Sequence, residues 1–344
     1  MSTADVRQVT EELEVGTAAG ESNSWNWHPD IPIRYSPLFE RPLKPIAVVK
    51  WFASAWLPLT ELTCYLLLAF VVWRWVQPPL AQTETLEFGW VAALWARNLF
   101  MMTLIATFLH LWLYTWRKQG DRYRYMRNTP TAEHKKFLGG RQLTDNVFWV
   151  LMSGVTVWTV YEAILWLAFA NGIAPLVSFA EQPVWFVLWF PLIGIWYSFH
   201  FYWIHRLLHW KPMYDHFHCV HHRNVTTGPW SGFSMHPVEH TLYLSSLLIH
   251  LIVPSHPIHM VFHAYWLTLA TATSHSGYEA LIVGRSSRTT IATFFHQLHH
   301  RYFTCNYGNV ELPMDRWFSS FNDGSSVETR RLQARWVETR QTNQ

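Results

Sequence analysis

The chain has 344 residues, of which 50% are hydrophobic and only 14% are charged, with 22 Trp and 22 Phe. Soluble domains carry about 25% charged residues, so this composition favours an integral membrane protein. The net charge of +3, without a basic stripe interleaved with aromatic residues, argues against nucleic-acid binding. Three cysteines without a CxxC pair predict neither a disulfide scaffold nor a thiolate zinc site.

The first part of the chain divides into a polar tail and a series of apolar stretches. Residues 1–44 are polar with prolines near their end, which predicts a largely disordered tail without the pattern of a signal peptide. Within residues 45–204, each apolar stretch reaches the length of about 20 residues that a membrane span requires. The four predicted spans are Leu57–Val76, Trp90–Trp116, Val147–Ala170 and Val184–Ile204.

The loops between these stretches differ in charge. Loop 117–146 contains eight Lys and Arg residues, whereas loops 77–89 and 171–183 contain none. Because Lys and Arg accumulate on the cytoplasmic side, the asymmetry predicts that 117–146 and the chain after the fourth span face the cytoplasm. Residues 241–272 are again apolar but interrupted by prolines, and we expect a shallow hairpin in the cytoplasmic leaflet. Residues 321–344 are charged and predict a short surface helix or a C-terminal tail.

Most of the 20 histidines lie between residues 200 and 300, in motifs with spacings of three or four residues. HRLLH contains His205 and His209, HCVHH contains His218, His221 and His222, and HQLHH contains His296, His299 and His300. Residues at these spacings share one face of a helix, so each motif directs its imidazoles toward one point. Eight imidazoles exceed the four ligands of a tetrahedral metal, which predicts a two-metal site of Zn, Cu, Fe or Ni.

The three motifs, in this order after four spans, resemble the histidine boxes of the fatty acid hydroxylase/sterol desaturase superfamily of membrane di-iron enzymes. The segments SMHPVEH (234–240) and SHSGYE (274–279) are similar to further segments of that family. The resemblance covers about residues 145–320. It implies an all-α integral membrane protein with about four transmembrane helices and a cytoplasmic helical cap, residues 205–320, that holds a histidine-rich dimetal site.

The resemblance also implies a ligand set for two iron ions, which zinc can replace. The implied ligands are His205, His209, His218, His221, His222, His275, His296, His299 and His300. Family members with ten ligands have a further histidine four residues before the SHSGYE histidine, where this chain has Thr271. His236 or His240 is therefore a possible additional ligand, or a group that orients ligands, as is Glu239.

A member of this family would use iron and O2 to attack an unactivated C–H bond of a lipid. We expect hydroxylation rather than desaturation, on a fatty acyl chain, sphingoid base, sterol or related lipid that enters from the bilayer. The sequence has no fused cytochrome b5 segment, dinucleotide-binding GxGxxG motif or iron–sulfur cysteine framework. We therefore expect a separate electron carrier of the ferredoxin or cytochrome b5 type. We do not expect a nucleic-acid partner.

Polar residues elsewhere are secondary candidates. The ionisable residues inside the predicted spans are Glu61, Arg97 and Glu162. Such groups usually face the bundle interior, and we expect Arg97 and Glu162 to form a structural ion pair. The residues just after the third box that could position ligands or the polar end of a substrate are Asn306, Tyr307 and Glu311.

Two alternative functions remain open from the sequence. HPVEH, which spans His236 to His240, matches the inverted zinc-peptidase pattern HxxEH with Glu239 as general base. That pattern would describe a membrane zinc metallopeptidase, but it leaves the other histidine motifs unexplained. The chain could also be a non-enzymatic metal or haem carrier, although transporter sites usually lie near the bilayer midplane. Metal content and O2-dependent product formation would separate these alternatives.

Overall fold

The structure is a computed structural model that describes residues 33–57, 60–126, 128–130, 133–284, 287–325, 327–332 and 334. Residues 1–32 of the predicted disordered N-terminal tail and residues 335–344 of the predicted C-terminal tail lie outside these residues. The described chain is mostly helical, as predicted, but it also contains one short antiparallel β-hairpin that the all-α prediction missed.

The elements follow one another in chain order with short connections. The first helices are α1 (Pro45–Ser54), α2 (Glu61–Val71, continued by the π-helical turn Val72–Val76), α3 (Phe88–Thr115), α4 (Gln142–Ala170) and α5 (Pro183–Leu208). Next come α6 (the contiguous segments Lys211–Met213, Tyr214–His218 and Cys219–His222), α7 (Pro237–Leu244, continued by the 3-10 segment Ser245–Leu251) and α8 (Pro257–Ser274). The last are β1 (Ala280–Val283), β2 (Ser287–Thr290), α9 (Phe294–Tyr302) and α10 (Met314–Trp317).

Three helices of the described chain, α3, α4 and α5, are long and apolar enough to cross a membrane. They correspond to the last three predicted spans. The first predicted span is represented by α2, whose 11 residues and 5-residue π-helical turn extend about 24 Å at 1.5 Å per residue. This is shorter than a hydrocarbon core of about 30 Å. Large apolar side chains of α2 such as Leu67 and Trp75 are nevertheless exposed, as on a lipid-facing helix.

The apolar region 241–272 forms a helical hairpin whose turn lies far from the histidine motifs. Ser255 in this turn donates its backbone N–H to Pro175 O at 2.9 Å, and Trp185 at the start of α5 donates to Pro254 O at 2.9 Å. The motif HRLLH lies at the other end of α5. The hairpin therefore extends along the length of the bundle. The predicted shallow hairpin would instead stay at the histidine end.

The returning arm of this hairpin, α8, is the central helix of the fold. Nearly all of its 18 residues are buried, and it contacts α2, α3, α4 and α5. Because its partners are apolar helices all around it, α8 can be apolar on every face without contacting lipid. Its C-terminal end reaches the histidine motifs, since His275 is its C-cap residue.

The loops at the two ends of the bundle differ in charge, as the sequence predicts. The basic loop packs against the histidine end, where Tyr125 N donates to Gly277 O at 3.0 Å and Lys136 Nζ donates to Arg223 O at 2.8 Å. At the other end Asn171 Nδ2 donates to Glu84 O at 2.9 Å, which joins the two loops without Lys or Arg. The fold thus separates the charged loop from the uncharged loops by the length of the bundle.

The predicted ion pair inside the bundle is formed. Arg97 on α3 contacts Glu162 on α4, and both side chains are buried. Asn98 Nδ2 donates to the same Glu162 oxygen at 3.0 Å. Charges inside an apolar bundle are stable only when they are paired, so these residues join two of the apolar helices.

Candidate metal centre

Three elements deliver the box histidines to one end of the bundle. His205 lies in the last turn of α5 and His209 caps that helix. The second box lies on α6, where the π-helical turn Tyr214–His218 widens the helix just before the four-residue α-helical segment Cys219–His222. The third box lies on α9. The helices therefore place imidazoles from distant parts of the sequence against one another.

Five histidines form the larger histidine group, with potential ligand atoms within 4.8 Å of one another. Its members are His205, His209, His218, His222 and His299. His209 Nε2 lies 3.1 Å from the Nε2 atoms of His218, His222 and His299. One ring nitrogen carries at most one proton and cannot satisfy all these contacts by hydrogen bonding. Coordination of one cation by the lone pairs of all these ring nitrogens accounts for every one of the short contacts.

Four further histidines form the smaller histidine group. Its members are His221, His275, His296 and His300. His275 Nε2 lies 3.0 Å from His296 Nε2 and 3.1 Å from His300 Nε2. The two groups adjoin, because the rings of His222 and His300 have centroids 4.9 Å apart. The structure thus brings together all nine histidines that the sequence singled out, in two neighbouring sets.

The spacing of the ring nitrogens fits metal coordination. Bonds from imidazole nitrogen to a first-row metal are about 2.1 Å long, so adjacent ligands at right angles have nitrogens about 3.0 Å apart. The Nε2 separations of 3.0 and 3.1 Å in both groups match that value. The donors are all imidazoles, which suit iron, zinc, copper or nickel. Cys219 belongs to neither group, and its thiol donates to Asp215 O at 3.3 Å.

The opposite ring nitrogens of several histidines are fixed by acceptors. His205 Nδ1 donates to Tyr307 O at 2.6 Å, and His299 Nδ1 donates to Cys305 O at 2.7 Å. A backbone carbonyl can only accept, so Nδ1 carries the proton in both rings and Nε2 keeps its lone pair. The hydrogen bonds therefore select the tautomer that a metal ligand requires.

Burial keeps these imidazoles neutral. It lowers the pKa of His218, His222 and His299 well below the ordinary histidine value, and the neighbouring imidazoles lower it further. Burial also lowers the pKa of His221 to about 4. A metal ligand must be deprotonated, and protons at pH 7 do not compete for these lone pairs.

The loop after α9 owes its shape to Asp315, which the sequence analysis did not identify. The Asp315 carboxylate accepts hydrogen bonds from Tyr307 N at 2.8 Å, Gly308 N at 2.7 Å and Ser320 Oγ at 2.6 Å. These bonds hold the backbone of Tyr307, whose carbonyl accepts from His205. Asp315 thus acts on the larger histidine group through the loop, although it contacts no member of the group.

The histidines of HPVEH lie outside both groups. His240 makes ring-nitrogen hydrogen bonds to Ser153 Oγ at 2.9 Å and Phe233 O at 3.1 Å. His236 caps α7, where its Nδ1 accepts from Val238 N at 3.2 Å. The zinc site that the peptidase alternative requires is therefore not assembled. Glu239, by contrast, contacts the larger group, because its Oε1 accepts from His218 Nδ1 at 2.8 Å.

The smaller group depends on a close approach of the chain at Gly232. A Cβ atom at this position would lie 2.0 Å from Thr271 O and 2.8 Å from His275 Nδ1. His275 Nδ1 itself contacts Thr271 O at 3.1 Å. Thr271 therefore contributes a carbonyl that orients His275, and its hydroxyl donates to Thr268 O at 2.6 Å. Only glycine leaves room at residue 232 for this arrangement.

A cavity of about 640 Å³ extends from the histidines. Histidines of both groups line it, including His205 and His221, and so does Glu239. Its wall also contains apolar side chains from several helices. They include Trp51, Leu62, Phe201, Leu208, Trp266 and Phe295. A volume in the range of about 300–1,000 Å³ with a mainly apolar wall is typical of a ligand pocket.

Histidines outside the boxes have other partners. His250 Nε2 and His263 Nδ1 lie 3.2 Å apart, and each ring also contacts a serine hydroxyl. His256 caps α8 through its Nδ1, and His259 Nδ1 accepts from the backbone N–H of His256 at 2.9 Å. These rings stabilise the hairpin and belong to neither group.

Comparisons with known proteins identify the same region. The family model for fatty acid hydroxylase matches residues 190–320. The chain is 26% identical over 272 residues to the Delta(7)-sterol 5(6)-desaturase erg3A of Aspergillus fumigatus, which covers 75% of this chain and 74% of that protein. It is 26% identical over 251 residues to the Delta(7)-sterol 5(6)-desaturase of Eremothecium gossypii, and this match covers 70% of this chain and 62% of that protein. No solved structure matches the chain. The family model and the sterol desaturase relatives support the fatty acid hydroxylase/sterol desaturase superfamily for this chain.

Proposed function

We propose that the protein is an O2-dependent di-iron oxidoreductase that desaturates a sterol within the membrane. The observation that carries the proposal is the convergence of nine imidazoles in two adjoining groups beside an apolar cavity. Iron in each group would supply the O2 activation that attack on an unactivated C–H bond requires. Zinc can occupy the same donors but has no redox chemistry of its own.

The residues of the chain determine where that chemistry acts. The cavity holds an apolar lipid beside the two groups, because its wall joins His205 and His296 to side chains such as Phe201 and Trp266. Proximity of one carbon to the oxidant determines which C–H bond reacts. Tyr307 and Thr271 orient imidazoles through their carbonyls, and Glu239 does so through its carboxylate.

We favour desaturation over hydroxylation because of the activity that the names of the relatives describe. The sequence alone favoured hydroxylation, but the names of both desaturases described above refer to the 5(6) position of Delta(7)-sterols. In desaturation, O2 takes two electrons from a carrier, two protons from solvent and two hydrogen atoms from the lipid, and leaves as two water molecules. In hydroxylation one oxygen atom stays on the lipid.

The remaining parts of the proposal concern the membrane and the electron donor. We place α2, α3, α4 and α5 across the bilayer with the histidine cap, residues 205–320, on the cytoplasmic side, which is supported by the basic loop packed at that end. A separate ferredoxin or cytochrome b5-type protein would supply electrons there. The basic loop 117–146 offers positive charge for an acidic carrier.

Lipid mass spectrometry of expressing cells tests this function. We expect cells with the wild-type protein to accumulate a sterol that is lighter by two hydrogen atoms, and only when O2 is present. The His221→Ala, His222→Ala double variant should not form this product, whereas His216→Ala, which changes an exposed histidine outside both groups, should. A product heavier by one oxygen atom would indicate hydroxylation. No O2-dependent product in any lipid class would contradict the oxidoreductase assignment.

A further inference from the structure

Besides Glu239, the cavity is lined by Glu61 and Glu311, and neither of these two belongs to a histidine group. Glu61 begins α2, and Glu311 lies on the loop that follows α9. The carboxyls come from separate elements but line the same cavity. Among the described residues, neither carboxylate forms an ion pair with Lys or Arg.

Several hydrogen-bond acceptors in this part of the wall have no donor among the described residues. Glu61 Oε1 accepts from Tyr65 OH at 2.7 Å and from Thr273, but no described residue donates to its Oε2. Among the described residues no side chain donates to the Glu311 carboxyl, and burial raises its pKa to about 7. Asn309 Oδ1, which is buried in the same wall, has no partner in the described chain. Unmet acceptors beside a cavity favour a bound molecule that brings a donor.

The acceptors lie close to the reacting end of the cavity. Thr273, which donates to Glu61, is in the last turn of α8, and this helix is capped by His275 of the smaller histidine group. Glu311 lies four residues after Tyr307, whose carbonyl accepts from His205. A group bound by Glu61 and Glu311 would therefore lie near both histidine groups.

We propose that Glu61 and Glu311 bind the free hydroxyl group of a lipid alcohol and thereby select the substrate. A hydroxyl supplies the missing donor, whereas a carboxylate or phosphate head group would be repelled by the two carboxyls and an ether or ester would leave them unpaired. The inference rests on the proposed function for its choice of sterol. In a 3-hydroxysterol the carbon that bears the hydroxyl lies two bonds from carbon 5, so this contact would place the 5(6) bond beside the histidines.

Equilibrium binding to the purified protein in lipid nanodiscs tests the inference without turnover. The probes are a radiolabelled 3-hydroxy Delta(7)-sterol, its 3-methyl ether and a long-chain fatty acid. We expect the wild type to bind the free sterol at least about tenfold more tightly than the ether. In the Glu61→Gln, Glu311→Gln double variant, affinity for the free sterol should fall by about tenfold while affinity for the ether changes little. Glu84→Gln, at an exposed site at the opposite end of the bundle, is the matched control and should bind like the wild type.

The wild-type comparison decides the inference even if the double variant does not fold. Equal binding of sterol and ether by the wild type overturns it, as does an unchanged preference in a folded double variant or preferential binding of the fatty acid. Turnover is measured separately on the same sterols. Preferential binding of the free sterol without its oxidation would support this inference and contradict the proposed function. Equal binding of the two sterols with oxidation of both would contradict this inference and support the proposed function.

Discussion

Glu239 Oε1 accepts a hydrogen bond of 2.8 Å from His218 Nδ1, and both side chains are almost fully buried. The other carboxyl oxygen of Glu239 has no partner within the described chain. Burial raises the pKa of this carboxyl well above its ordinary value. A cation held by the larger histidine group would offset that effect, because the positive charge transmitted through His218 favours the carboxylate.

Removal of the Glu239 carboxylate should weaken metal binding in the larger group. We expect Glu239→Leu to lower metal affinity by about tenfold to a hundredfold and Glu239→Gln to have a smaller effect, because glutamine still offers an oxygen to His218. The measurement is the iron content of purified protein after dialysis against graded chelator concentrations. Glu84→Gln serves as the control for loss of a carboxylate. Equal iron retention by Glu239→Leu and the wild type would show that the contact does not support the site.

The histidine motifs were predictable because their information is local. Spacings of three and four residues place His218, His221 and His222 together on any helix, and the order of the motifs indicates the family. The division into two groups was not predictable, since neighbours such as His221 and His222 belong to different groups. That division depends on the crossing of helices from distant parts of the chain.

The supporting residues and the hairpin required the three-dimensional structure. Gly232 and Asp315 act through contacts with Thr271 and Tyr307, and no motif marks these pairings. Each half of 241–272 is short for a membrane span, which suggested a shallow hairpin. The sequence could not reveal that α8 would be enclosed by other apolar helices and therefore extend along the bundle.

The two histidine groups should lose metal separately. His209→Ala removes a ring nitrogen that lies 3.1 Å from three others in the larger group, and His300→Ala removes one from the smaller group. We expect each variant to retain about one iron per chain when the wild type retains about two. Elemental analysis after anaerobic loading gives the stoichiometry, and His216→Ala is the histidine control. Two irons in either ligand variant would exclude the altered residue as a ligand.

A methyl group at residue 232 should disrupt the smaller group without altering any ligand. In Gly232→Ala the added Cβ would overlap Thr271 O and press on His275 Nδ1, so the end of α8 must move. We expect a loss of at least about half of the bound iron, because a displacement of about 1 Å is enough to spoil coordination. Gly89→Ala is the matched control, since no other group lies within 4 Å of the position that its new methyl group would occupy. Unchanged iron content and sterol oxidation in Gly232→Ala would contradict the close packing described here.

His240 should make the stability of the protein depend on pH without affecting its metal content. Burial lowers the pKa of His240 to about 3, whereas in the unfolded chain it is about 6.5. The unfolded chain therefore binds one more proton at this residue between these values. The stability that neutral His240 contributes is fully present above about pH 6.5 and is lost as the pH falls toward 3.

The variant His240→Gln isolates this contribution. The difference in free energy of unfolding between wild type and variant should shrink by about 1.4 kcal/mol for each pH unit below about 6.5. Chemical unfolding of the iron-loaded proteins in detergent micelles between about pH 7.5 and 5 measures it, because iron-bound histidines stay deprotonated in both proteins over this range. A difference that does not change with pH would show that His240 is not buried as a neutral imidazole. Loss of iron from the variant would show instead that His240 is a ligand, contrary to its hydrogen bonds with Ser153 and Phe233.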